Sequence, residues 1–167
     1  MRRTIWQSSG LIGEGNKHRQ AWERASSTNH RNLSGDKKVA VIGHFLYIEK
    51  QLGDQCDLCV LEREPEGSDL LDSACEYILP EQDVVFITGM TLTNKTLPRL
   101  LTLTAAVKTI LVGPSSPITP KLFSYGVDSI AGFYVMDVDL TRTLVSQAAH
   151  TEIFRGGRKI TASNHCR

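Results

Sequence analysis

Residues Asp83–Thr96 read DVVFITGMTLTNKT. The unbroken apolar run Val84-Val85-Phe86-Ile87 stops at Thr88-Gly89. A polar loop then leads to a helix start near Asn94-Lys95-Thr96. A continuous β-branched run of this kind is the pattern of a strand buried on both faces, as in a parallel sheet covered by helices. Ligands of such sheets lie at the carboxyl ends of the strands, where loops and helix N-termini converge. The stretch therefore bears on fold class and on the position of a site together.

Upstream, Val39–Ile42 is a strand ending at Gly43, and Leu46–Leu52 has the spacing of a helix. Leu58–Leu61 is a second strand. After the turn formers Glu64-Pro65-Glu66-Gly67, Ser68 is a candidate N-cap for a helix over Asp69–Ile78. Downstream, a helix capped by Asn94 or Thr96 tolerates Pro98 in its first turn. Strand Lys108–Val112 ends at Gly113-Pro114-Ser115-Ser116. A short helix from Thr119-Pro120 stops at Gly126, a fifth strand spans Asp128–Ala131, and Asp137 caps a last helix reaching Ala149. Short strands near Glu152–Phe154 and Arg158–Thr161 suggest a hairpin around Gly156-Gly157. Strands alternating with helices at this spacing predict right-handed βαβ units. The expected fold is α/β, a Rossmann-like or flavodoxin-like three-layer sandwich. Its mostly parallel sheet would have five to six strands, the first five in order 2-1-3-4-5.

At 167 residues the chain supports one domain with a full core, and 41% hydrophobic content is ordinary for a globular protein. No apolar run is long enough for a membrane helix, and no apolar stretch follows Arg2-Arg3 as in a secretory signal, so a cytoplasmic location is expected. Charge is uneven. Residues 1–38 carry eight Lys/Arg against three Asp/Glu, and the remainder carries eleven against fifteen. Residues 1–37 read as a basic arm and linker ahead of a domain over 38–167. A short polar helix is expected over Asn16–Ala25, with Trp6 and Trp22 as anchoring contacts. The basic residues are scattered among Ser, Asn and Gly, so the arm reads as solvated or partner-packed rather than as a nucleic-acid arm. Cys56 and Cys59 match C-x-x-C. Cys59, however, falls inside a predicted strand, which lacks the tight turn a metal or redox pair needs, and it reads as core.

Gly43 is the only glycine of a dinucleotide fingerprint in the first strand–helix turn, where Phe45 and Tyr47 would crowd a diphosphate. Glu62, at the end of the second strand, stands where a ribose-binding acid would. His44 at the strand mouth could ligate a metal, move a proton or bind an anion, or it could simply cap a neighbouring loop. Thr88, Gly89, Asn94, Lys95 and Thr96 gather hydroxyls, an amide, an ammonium and helix N–H groups, the makings of an anion cradle. The same residue types also serve as caps and turns. Gly113 and Ser115 repeat the situation one strand over. No Ser-His-Asp order, Walker lysine motif or H-E-x-x-H is present.

Ile42-Gly43-His44-Phe45, Leu61-Glu62-Arg63 with Pro65, ITGMTLTNKTLPRLL (Ile87–Leu101), Leu111–Pro117 with Pro120, and Tyr125–Asp128 followed by Ala131-Gly132 together resemble the putative heavy-metal chelation domain family. The similarity runs from about Lys38 to Thr161. It implies a Rossmann-like domain that binds or handles metals, through a divalent metal or a small metal-chelating ligand. It carries over no catalytic residues. Gly43, His44, Glu62, Thr88, Gly89, Asn94, Lys95, Thr96, Gly113 and Ser115 are the motif positions and the expected pocket, with His44 the candidate metal ligand. Fuller members of the family carry a first domain similar to the N-terminal domain of enolases. This chain has about 37 residues there, so a cleft between domains would lack one wall unless a partner subunit or a homodimer supplied it.

Three functions follow as expectations. The first is binding of a metal or an anionic metal chelate at the strand ends, where oxygen-rich residue types favour a chelate over direct coordination. The second is an enzyme acting on a nucleotide-like or cofactor-like substrate. The third is an interaction protein without ligand.

Overall fold

The computed structural model describes residues 5–8 and 36–164. Those residues build one mixed sheet. Its strands in chain order are β1 (Ile5–Ser8), β2 (Lys38–Ile42), β3 (Asp57–Glu62), β4 (Leu70–Leu71), β5 (Val84–Thr88), β6 (Lys108–Val112), β7 (Ser129–Val135) and β8 (Gly157–Ser163). Across the sheet they lie in the order β1-β8-β7-β6-β5-β2-β3-β4. Seven strands have four or more residues and β4 is a two-residue edge, so the sheet is wider than the five to six strands expected. The five strands read from the sequence are mutually parallel and take the expected order, with β2 between β3 and β5.

The centre of the sheet is buried because its strands are apolar on both faces. Val39, Ala40, Val41, Val85 and Ile87 have no exposed surface, and fully burying such a side chain contributes about 1.5–3 kcal/mol. Alternation divides them between two cores. Ala40, Ile42, Leu61, Val85, Ile87, Leu111 and Ile130 pack with residues from α2 (Cys75–Ile78) and α4 (Leu97–Leu103). Val39, Val41, Val84, Phe86, Ile110 and Val112 pack with Ile48 and Leu52 of α1 (Leu46–Leu52). The step from β2 to β3 and the step from β3 back to β5 run in opposite directions across the sheet. Right-handed crossovers therefore put α1 and α2 on opposite faces.

The two ends of the sheet are fastened differently. At the amino ends, the Asp83 carboxylate accepts from Lys37 Nζ at 2.6 Å and the Lys38 N–H at 2.9 Å, and Asp128 accepts from the Thr109 N–H at 2.8 Å. At the carboxyl ends, Gly43, Gly89 and Gly113 each extend the ladder by one bond, donating to Leu61, Val112 and Ala131 respectively. Gly43 and Gly113 do so at φ 96° and 110°, a region that side chains disfavour.

Several local expectations are corrected. The segment after Ser68 is no continuous helix. Leu70 and Leu71 pair with Leu61 and Glu62 as an edge strand, and helical turns begin only at Asp72, in three short pieces ending at Glu81. The fifth strand, expected over Asp128–Ala131, runs from Ser129 to Val135. The hairpin around Gly156-Gly157 does not form. His150–Gly156 is a 3-10 helix, and β8 pairs antiparallel with β7 along its full length, Ser129↔Ser163 to Val135↔Gly157. A neighbour already in the sheet replaced the local partner that the spacing suggested. The expected helix at Asn16–Ala25 and Trp22 lie outside the described residues, whereas Trp6 falls within β1, opposite Ala162.

Other expectations are met. The helix over Leu46–Leu52 has those bounds. Thr119 begins the 3-10 helix Pro120–Tyr125, which ends at a left-handed Gly126. Asp137 accepts from the Leu140 N–H at 2.9 Å and caps α5 (Val138–Ser146). No described helix is long and apolar enough to cross a membrane.

Candidate functional site

A cleft of about 620 Å³ opens at the carboxyl ends of β2, β3 and β5. Its floor is apolar, from Ile42, Leu61, Cys75, Leu100 and Leu103, and its rim is polar, from Arg63, Asp72, Glu76, Thr88, Asn94, Lys95, Thr96 and Arg99. Among the positions read from the sequence, Gly43, His44, Glu62, Thr88, Asn94, Lys95 and Thr96 line it. Gly89, Gly113 and Ser115 do not.

Those last three pack beside the cleft. A Cβ built on Gly89 would come within 2.5 Å of Ser116 N and 2.7 Å of Ser115 C, so the absence of a side chain there lets β5 close onto the 113–116 loop. The Phe45 ring lies against Gly113 and Gly43 on the same side. The crowding expected of Phe45 is thus directed at the loop after β6. The ring borders Gly113 of that loop and also lines the cleft.

Glu62, at the position where a ribose contact was expected, also serves the fold. Its Oε1 accepts the His44 N–H at 3.0 Å and its Oε2 accepts the Arg63 N–H at 2.9 Å. Each oxygen accepts one backbone N–H, and the carboxylate ties the β2–α1 turn to the end of β3.

His44 is held on both sides. Its Nε2 is 2.7 Å from Asp69 Oδ2 and its Nδ1 is 3.1 Å from Glu49 Oε1. Desolvation works against the charged ring, but the hydrogen bonds and charges of Asp69 and Glu49 outweigh it, and the His44 pKa is raised above 6.5. Asp69 is shifted the other way. The Glu66 N–H it accepts at 2.9 Å is the largest cause, and His44 adds to it. Glu49 also accepts the Phe45 N–H at 3.0 Å. With both ring nitrogens facing carboxylates, neither is directed at a metal in this arrangement. Among the described residues, no three His, Cys, Asp or Glu side chains are placed to hold a metal ion.

The stretch after Thr88, expected as a polar loop, contains a helical turn, α3 (Met90–Thr93). Asn94 then folds the chain back, its Oδ1 accepting from Thr96 N at 3.1 Å and Thr96 Oγ1 at 2.7 Å. Thr96 occupies the N-cap position of α4 without a side-chain cap bond. Between them Lys95 sits at φ 65°, a left-handed conformation costing a residue with a Cβ about 1–2 kcal/mol. Its ammonium has no hydrogen-bond or ion-pair partner among the described residues. The other two cations of the rim are matched. Arg63 Nε is 3.3 Å from Asp72 Oδ2, and Arg99 is bidentate on Glu76, with Nε donating to Oε1 at 2.8 Å.

The described cysteines offer no thiolate, since burial raises the pKa of each. Cys56 and Cys59 pack against opposite cores, with the sheet between them, and Cys59 is a half-buried margin of its core. Burial pushes the Cys75 thiol up to about 11, so it stands in the cleft floor as a neutral SH. The reading of the sequence did not single out Glu49, Asp69, Asp72, Glu76 or Arg99. Only Arg99, inside the NKTLPRLL block, carried a signal that could have found it.

The family profile described as "putative heavy-metal chelation" matches residues 27–164. An uncharacterized protein of Methanocaldococcus jannaschii is 36% identical over 135 residues, covering 77% of this chain and 52% of that protein. A crystal structure from Desulfitobacterium hafniense, of a protein with unknown function from the same family, is 40% identical with a TM-score of 0.76, covering 83% of this chain and 56% of the other. A second such structure, from Pyrococcus horikoshii, shares the fold at a TM-score of 0.69 and 20% identity, covering 75% of this chain and 53% of the other. The chain thus spans about half the length of the relatives it matches.

Proposed function

The chain belongs to the putative heavy-metal chelation family, and from that premise we propose that its strand-end cleft binds a metal already wrapped in an anionic organic chelator. The observation that carries this reading is Lys95. Its ammonium, without a partner among the described residues and held at a strained backbone position on the rim, belongs to a lining whose other polar members include Thr88, Asn94 and Thr96. Backbone strain of that kind persists where the surrounding fold over-determines it, and it is frequent at ligand sites.

The donor set fits the chelate better than the bare metal. His44 is engaged on both nitrogens, the thiol in the floor is neutral, and the carboxylates of Glu62, Asp72 and Glu76 are matched to backbone or arginine. A chelator would bring its own metal ligands. It would offer carboxylate oxygens to the rim and its carbon skeleton to Ile42, Leu61, Leu100 and Leu103. The protein's part is then recognition of charge and shape, not coordination.

Native mass spectrometry of gently purified protein tests this. A reproducible added mass, or one gained on incubation with nickel(II) citrate and not with nickel(II) chloride, is expected, and it should be lost in Lys95→Ala. Uptake of the bare ion as readily as of the complex, or a polypeptide mass unchanged by either, overturns the proposal.

A further inference from the structure

Neutral imidazole carries one N–H, and only imidazolium can donate from both nitrogens. His44 has a carboxylate oxygen at hydrogen-bond distance from each nitrogen, Asp69 on one side and Glu49 on the other. If the ring were neutral, one of these contacts would set a nitrogen lone pair against a carboxylate. The arrangement is therefore that of a protonated ring.

The three side chains come from separate pieces of the structure. His44 follows Gly43 in the β2–α1 turn, Glu49 lies within α1, and Asp69 precedes the edge strand β4. Glu62 at the end of β3 also faces this turn, through the His44 N–H it accepts. Each of the flanking carboxylates does double duty. The oxygen of Glu49 that meets the ring also accepts the Phe45 N–H, and the oxygen of Asp69 that meets the ring also accepts the Glu66 N–H. What happens at the ring is thereby coupled to the backbone on both sides.

We propose that His44, Glu49 and Asp69 form a proton-operated clasp that fastens the 63–69 segment to the β2–α1 turn and so sets one wall of the cleft. With the proton on His44, the ring bridges the two carboxylates and the segment leading to Arg63 and Asp72 is held. When the proton leaves, one bridge is lost and two carboxylates are left sharing a single donor. The segment then keeps the Glu62 contact, the Arg63–Asp72 ion pair and the short β3–β4 ladder of two residue pairs, and is held less firmly. No bond of the chain forms or breaks, and the proton passes to solvent, to which the ring is about one-third exposed. The consequence for ligand binding rests on the cleft reading above: a released wall lowers affinity for an anion as pH rises.

The direction of the effect follows from the folded protein holding the proton more tightly than the unfolded chain. The clasp is complete below about pH 6.5, the ordinary histidine value, and is lost as pH rises through the higher folded value.

The experiment uses the whole chain without ligand, so its outcome and that of the chelate test are independent. The His44 ring carbons and nitrogens are titrated by NMR alongside the backbone amides of Phe45 and Glu66. The ring is expected to titrate above the ordinary histidine value, and both amides should shift at the same midpoint and lose exchange protection above it. In His44→Gln the amide transitions should vanish. In Asp69→Asn, which keeps an acceptor for the Glu66 N–H and so spares the loop fold, the ring midpoint should fall. A wild-type ring that titrates at or below the ordinary value overturns the clasp. So do amides that ignore the ring's midpoint, or that titrate equally well in His44→Gln.

Discussion

Glu62 accepts the backbone N–H of His44 at 3.0 Å, across eighteen residues of sequence. That bond, with its companion from Arg63, makes an acidic side chain at a strand end a part of the turn that forms the cleft. Truncating it takes the carboxylate acceptor away from the N–H groups of two exposed residues. Glu62→Ala is expected to lower stability by about 1 kcal/mol, the net worth of an ordinary hydrogen bond whose donors water can reach. Glu62→Gln, which keeps one acceptor oxygen, should lose less. Urea denaturation reads both. Equal midpoints for wild type and Glu62→Ala would show that water serves these donors just as well.

Lys95 separates stability from function. At φ 65° glycine is the unstrained residue, so Lys95→Gly should stabilise the fold by about 1 kcal/mol while abolishing capture of a chelate. Lys95→Ala keeps the backbone strain and removes only the ammonium, so it should lose binding with little change in the denaturation midpoint. If Lys95→Gly is no more stable than wild type, the backbone there is not strained and the main argument for a functional lysine falls.

The fold was legible because its signals are local and redundant. Val84–Ile87 is apolar without interruption, which a strand needs only when both faces are covered, and the single helix linking the second and third strands suggested the order of five strands. The errors fall where a distant partner decides. Asp69–Ile78 has helical composition, but Asp69 is drawn to His44 and Leu70–Leu71 to the edge of β3. Ile160 and its neighbours found β7, twenty-eight positions away across Gly132↔Ile160, instead of a hairpin partner. The site was half legible for the same reason. Thr88, Asn94, Lys95 and Thr96 stand together in sequence and in space. Glu49, Asp72 and Glu76 act through arginine, histidine or backbone partners that no spacing announces. Gly113 and Ser115 were placed by analogy with the neighbouring loop, which could not foresee that Phe45, beside Gly113, lines the cleft in their stead.

Gly89 is a site of steric exclusion, not of backbone freedom, since its φ is −58°. An added Cβ would meet Ser116 N at 2.5 Å and Ser116 Oγ at 2.6 Å, and these belong to a loop packed behind it. Gly89→Ala should therefore destabilise by about 1–3 kcal/mol, as overpacking does, and displace the 113–116 loop. Amide shifts at Ser115 and Ser116 in the variant would report the displacement. A fully wild-type spectrum and midpoint would mean the loop yields at no cost.

Acid should weaken the opposite end of the sheet from the one His44 governs. Asp83 is held below the usual aspartate range first by the hydrogen bond from Lys37, then by the Lys38 N–H. A carboxylate depressed in the folded state contributes stability that is fully present above its unfolded value, about 3.9. That stability is lost as pH falls through the lower folded one. Glu76 and Asp69 are depressed too, by Arg99 and chiefly by the Glu66 N–H respectively, so the wild-type midpoint in urea should fall below about pH 4. Asp83→Asn should be less stable than wild type at neutral pH, where the ion pair is gone, and should fall less steeply on acidification because one linked proton is missing. Asp83 sits where β2, β5 and β6 begin, accepting from residues 37 and 38 and passing its own carbonyl to Lys108, so the loss is felt by the central strands together. Stability curves for the two proteins that run parallel from pH 7 to 3 would show that Asp83 takes up its proton alike in the folded and unfolded chains.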